Sequence, residues 1–178
     1  MAILIGTCLA QNATVGDVNA FKQALEKDGF TVREGGLGYF DFMKLYNMGI
    51  LPSAYGNNPA TQYLVYLVPP ASGKVTGMIA DIIKALGVTA NVTPFPNLRP
   101  DEALVFVGKT PPECRYFSFD HYLMERTYGN ETRWIFANLV DTVNNLNIKT
   151  EGTPNGLPGN PYNQTTIVIT TADKGIDQ

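Results

Sequence analysis

Five consecutive apolar residues, Ala103, Leu104, Val105, Phe106 and Val107, constrain the fold of this chain more than any other stretch. Side chains on a strand alternate between two faces, so an unbroken apolar run must be covered on both, as at the centre of a sheet with layers on either side. The run is too short for a packed helix and rich in strand-forming residues, so it reads as a buried central strand. Everything else in the sequence has to supply neighbours and covering layers for it.

Those partners are legible along the chain. Phe30 to Arg33 alternates as a strand, Gln62 to Val68 is a β-rich run closed by Pro69 and Pro70, and Thr165 to Thr170 is strongly β-forming. Arg115 to Leu123 reads as one aromatic strand. From Asp17 to Lys27 the residues Val18, Phe21, Ala24 and Leu25 recur at helical spacing, with Gly29 placed to end the helix. A short helix is expected from Asp41 to Met48, stopped by Gly49, and a third from Thr76 to Leu86, ended by Gly87. Gly35 and Gly36 read as a turn. Asn130 to Asn145 fits a helix through Trp134, Ile135, Leu139, Val140 and Val143, although its Asn-rich end favours turns. Residues 151–163 read as a loop, and Thr171 to Lys174 as the first turn of a helix that the chain barely enters, so that residues 172–178 look like the clipped boundary of a longer protein. The expected fold class is therefore α/β or α+β, a mixed β-sheet packed by about three helices, in a single domain over residues 1–178.

Composition narrows the partners. Charged residues make up only 16% of the chain, and 13 Lys and Arg against 16 Asp and Glu leave a net charge of -3, with the cations scattered. Such a surface has no long-range attraction for a phosphate backbone, so nucleic acid is not an expected partner. So weak a net charge also does little to hold copies apart, which permits self-association. No stretch approaches the ~20 apolar residues of a membrane span. Met1 to Ala10, with Ala2, Ile3, Leu4 and Ile5 at its apolar heart, reads either as the remnant of a signal peptide or as an apolar strand packed against its own core or a neighbouring copy.

Asn-x-Thr occurs four times, at Asn12, Asn91, Asn130 and Asn163, each with a middle residue other than proline. Random placement of the 15 Asn and 20 Ser plus Thr would give about 1.7. The excess marks these asparagines as candidate sites for N-linked glycans and the chain as extracellular or secreted. Asn130, in a turn, is the best placed, and Asn91, whose Thr93 precedes Pro94, the poorest. Cys8 and Cys114 can form one disulfide in an oxidising compartment or stand as two buried thiols. With two cysteines and one histidine a structural zinc site is not expected, and no metal is assigned.

Chemistry is densest from Thr110 to Tyr122, which holds the lone histidine, His121, with Cys114, Ser118, Glu113 and Asp120. On one extended strand His121 and Ser118 fall on opposite faces, so a nucleophile–base pair needs partners from elsewhere, such as Asp41, Asp141 or Asp173. The bland reading of His121, a structural residue satisfied by hydrogen bonds, is the stronger one. Gly35, Gly36 and Gly38 lack the spacing of a dinucleotide fingerprint, and no phosphate loop or nucleophile elbow is present, so no cofactor is expected. Residues 141–147 lack the alternating pattern of a calcium loop. The expectation is an extracellular structural or assembly glycoprotein subunit without a catalytic motif, associating with copies of itself. Two alternatives stand beside it: a secreted hydrolase using His121 with an acidic partner, and a carbohydrate-binding module using exposed tyrosines.

Overall fold

The structure, a computed structural model, describes residues 2–7, 15–50, 53–54, 58, 60–61, 63–70, 87, 92–150, 159–173 and 175. They gather into two compact units, Met1–Val107 with Val168–Gln178, and Gly108–Ile167.

The first unit is built on five strands, β1 (Ala2–Thr7), β2 (Thr31–Tyr39), β3 (Leu64–Leu67), β4 (Glu102–Lys109) and β9 (Thr165–Thr171), in the spatial order β3-β2-β1-β4-β9. β1 lies parallel to both neighbours, Ala2 opposite Thr31 on one side and Glu102 on the other. The apolar N-terminal strand is thus spent inside its own sheet. Strand order reverses at β1, with β2 on one side and β4 on the other.

β4 is buried on both faces, from Ala103 at 9% exposure to Val105 and Phe106 at 2%. Against Ala103, Val105 and Val107 pack Val18, Phe21 and Leu25 of helix α1 (Val15–Lys27), with Phe30 and Val32. Against Leu104, on the opposite face, pack Val68, Tyr66 and Leu98. α1 ends where Gly29 takes φ +90°, the amides of Gly29 and Phe30 reaching back to the carbonyls of Glu26 and Leu25. Helix α2 (Phe42–Asn47) is capped by Asp41, whose carboxylate accepts from the Lys44 amide at 2.9 Å, and it buries Leu45 completely. Gly49, at φ +72°, closes it in the same way as Gly29 closes α1.

Gly35 and Gly36 are not a turn. They lie within β2 at the point where it changes partners, Gly35 pairing with Gly6 in parallel and Gly36 with Leu67 in antiparallel. A Cβ on Gly35 would stand 2.4 Å from the Leu67 carbonyl oxygen, so this crossing requires glycine.

The second unit holds two separate two-stranded sheets, β5 (Ser118–Phe119) with β8 (Val143–Asn144), and β6 (Tyr122–Tyr128) with β7 (Glu131–Asn138), both antiparallel. The β6–β7 connection is a two-residue loop with positive φ at Gly129 only, the type II′ pattern that suits hairpin twist.

The expected fold class is corrected here. The structure is mostly strand, with two helices among the described residues, and the strands fall into one five-stranded and two two-stranded sheets rather than one mixed sheet packed by about three helices. The expected third helix, residues 76–86, lies outside the described residues. The stretch 130–145, read as a helix, is strand β7 and the loops after it, because Gly129-Asn130 is hairpin chemistry and overrides the apolar spacing. The expected strand Arg115 to Leu123 is broken at Asp120 and His121, and neither of its pieces joins the central sheet. β9 runs on to Thr171, after which Asp173 accepts from the Gly175 amide at 2.8 Å, a side-chain-closed turn where a helical turn was expected.

Candidate functional site

His121 and its surroundings come first, because the sequence concentrates chemistry there. The break at Asp120 lets that carboxylate take two hydroxyls, Ser118 Oγ at 2.6 Å and Thr142 Oγ1 at 2.7 Å. The Ser118 hydroxyl thus donates to Asp120, while His121 Nδ1 donates to the main-chain carbonyl of Asp141 at 3.1 Å. A carbonyl orients a ring without sharing its proton, so the contact fixes the histidine as a link between loops. Of the other acidic partners expected for it, Asp41 caps α2 and Asp173 closes a turn. Among the described residues no three His, Cys, Asp or Glu side chains converge as metal ligands.

Cys114 is exposed with a free thiol, which contacts the Tyr116 carbonyl at 3.6 Å, whereas Cys8 lies outside the described residues. Asn12 and Asn91 lie outside them too, but Thr93 of the second sequon is buried, its amide and carbonyl bridged to Val68. Asn130 and Asn163 are both exposed, the first in the hairpin loop and the second at φ +55° just before β9. No helix among the described residues is long and apolar enough to cross a membrane.

Two surfaces that sequence reasoning did not single out carry more. The first is the β6–β7 hairpin. A bulge sets two residues of β7, Ile135 and Phe136, against Met124, and Phe136 takes φ +51°. Its ring lies near-parallel to those of Tyr122 (centroids 5.4 Å apart, planes at 18°) and Trp134 (6.2 Å, 12°). Tyr122 and Phe136 are 45% and 38% exposed. Closer to the tip Arg126 and Arg133 face each other across the strands, both guanidiniums over the Tyr128 ring at 5.5 and 5.9 Å. Glu131 holds Arg133 at 2.9 Å. Gly129-Asn130 between two β-rich runs was the available signal for this hairpin.

The second surface is β9, the outermost strand of the five-stranded sheet. Its seven residues are all Thr, Ile or Val, with neither charge nor proline. Thr166 and Val168 face inward at 3% and 8% exposure, while Ile167 and Ile169 stand out at 50% and 61%. The opposite edge strand, β3, is only four residues long. Gln164, just before β9, is pinned to Thr110, amide to carbonyl at 2.9 Å and amide to hydroxyl at 3.0 Å.

No protein-family model, curated protein or solved structure matches the chain.

Proposed function

We propose that this chain is a non-catalytic assembly subunit of an extracellular glycoprotein, and that copies associate by pairing β9 edge to edge. The observation that carries the reading is the undefended edge. Proteins that remain single guard their outer strands with lysine, proline, bulges or brevity, and β9 has none of the first two, whereas β3 is short. Paired antiparallel to itself about a two-fold axis, β9 meets an identical uncharged strand, so nothing repels, and Ile167 and Ile169 of each copy gain cross-strand neighbours. β1 is paired on both sides within its own sheet, which supports placing association at the β9 edge rather than at the N-terminal strand.

The test is light scattering over a concentration series. The chain should run as a dimer or larger, and Ile169→Lys, a charge set into the edge, should weaken association by at least about tenfold. A chain that stays monomeric at every concentration contradicts the reading, as does an Ile169→Lys variant that associates unchanged. The glycoprotein half is tested by intact mass after secretion from a eukaryotic cell. Mass should fall on enzymatic deglycosylation, with Asn130 the first site occupied.

A further inference from the structure

Taking copies to pair along β9 as proposed above, we propose that an N-linked glycan on Asn163 controls that pairing, the chain glycosylated there staying single and the bare chain associating.

The register of the edge places Asn163 where it matters. Thr110 donates its amide to the Gln164 carbonyl at 2.9 Å and accepts the Gln164 amide on its hydroxyl at 3.0 Å, so the main-chain groups of Gln164 are turned toward β4. At the other end of the same two strands the Thr171 hydroxyl reaches the Glu102 carbonyl, so β4 and β9 run antiparallel. Alternate residues of an antiparallel strand bond to the same neighbour, which turns the amides and carbonyls of Thr165, Ile167, Ile169 and Thr171 to the open edge. A two-fold axis at Val168 pairs the whole strand, with Ile167 opposite Ile169 and Thr165 opposite Thr171 of the second copy. By the same count Asn163 stands opposite Asp173 of the second copy. There the chain is folded into a tight turn, the Asp173 amide on the Thr171 hydroxyl at 3.0 Å and the Gly175 amide on the Asp173 carboxylate at 2.8 Å. Paired strands lie about 4.8 Å apart, so a bulky oligosaccharide rooted at Asn163 and that turn claim the same space, at both ends of the ladder.

The acceptor itself is presented for modification. Asn163 is exposed at φ +55°, and its main-chain amide is held by the Pro111 carbonyl at 2.9 Å. Among the described residues no hydrogen bond engages the Asn163 side chain or the Thr165 hydroxyl, the two groups that the Asn-x-Thr signal requires. Transfer joins the side-chain nitrogen of Asn163 to the anomeric carbon of an oligosaccharide carried on a lipid diphosphate; the bond from that carbon to the diphosphate oxygen breaks, the amide gives up one proton and the lipid diphosphate leaves. A glycan so placed supplies the cover that β9 lacks in its own residues, which include neither charge nor proline.

The test compares the full chain made in bacteria, without N-glycans, with the chain secreted from a eukaryotic cell. Both are followed by light scattering over a concentration series, and glycopeptide mass spectrometry reads Asn163 in the monomer and dimer fractions. The bare chain should pair, the Asn163-occupied chain should pair at least about tenfold more weakly, and the dimer fraction of the secreted chain should be depleted in Asn163 glycan. Two variants of the secreted chain remove this signal and leave the other three. Asn163→Gly suits the positive φ, and Thr165→Val keeps a β-branched residue in the strand while losing the hydroxyl. Both should restore pairing, and Thr165→Ser, which keeps the signal, should not. An occupied chain that pairs as tightly as the bare one overturns the control by Asn163 alone, as does a secreted chain in which Asn163 is never occupied. A bare chain that stays monomeric overturns the pairing along β9 itself, so the two failures are told apart.

Discussion

Single residues decide how the first unit closes. Gly35 lies where β2 passes from β1 to β3, and any side chain there must push against the Leu67 carbonyl. Gly35→Ala is therefore expected to cost about 1–3 kcal/mol, as overpacking does, seen as a lower denaturation midpoint. Gly36→Ala, with open space around its Cβ, should cost much less. Tyr66 is the second such residue. Burial among Val68, Leu104 and Phe106 denies its phenolate water and raises its pKa above the ordinary 10.0. Because the folded value is the raised one, the stability is intact below pH 10 and is lost as pH climbs toward it, the unfolded chain releasing its proton first. Thermal unfolding should accordingly weaken above about pH 10 in the natural chain, and Tyr66→Phe should flatten that loss.

At the scale of elements, the β6–β7 hairpin depends on its loop. Gly129 holds φ +61°, a conformation hostile to branched side chains, so Gly129→Val should destabilise the hairpin by about 1–2 kcal/mol and shift Trp134 emission toward the red while the first unit keeps its helices by circular dichroism. The elements that were legible in the sequence share a local cause. α1 and α2 carry their own periodicity, caps and terminal glycines, and β4 its unbroken apolar run. Where the outcome depended on a partner strand, local pattern misled. Gly35 and Gly36 look like a turn until β3 is seen crossing them, and the helical spacing from Trp134 to Val143 is not used, since β7 ends at Asn138 and Leu139 and Val140 beyond it stand exposed. The candidate sites follow the same division. Asn130 in a turn could be read from composition and spacing. The stacked rings and the Arg126–Arg133 pair could not, since both depend on cross-strand register.

For the whole molecule the decisive fact is topological. β9 was readable as a strand from its run of β-branched residues, but nothing in that run says it lies at the edge of a sheet rather than at its centre. Its position makes it the edge strand of the sheet among the described residues, and an uncharged edge of that kind suits the pairing proposed for it. The low net charge of the chain makes a second copy an acceptable one. Amide hydrogen exchange at low and high protein concentration tests this most directly, since only edge-to-edge pairing protects the outward amides of β9. The account predicts that exchange across residues 165–171 slows as concentration rises and that Ile169→Lys removes the slowing. Exchange in β9 that is independent of concentration would contradict it.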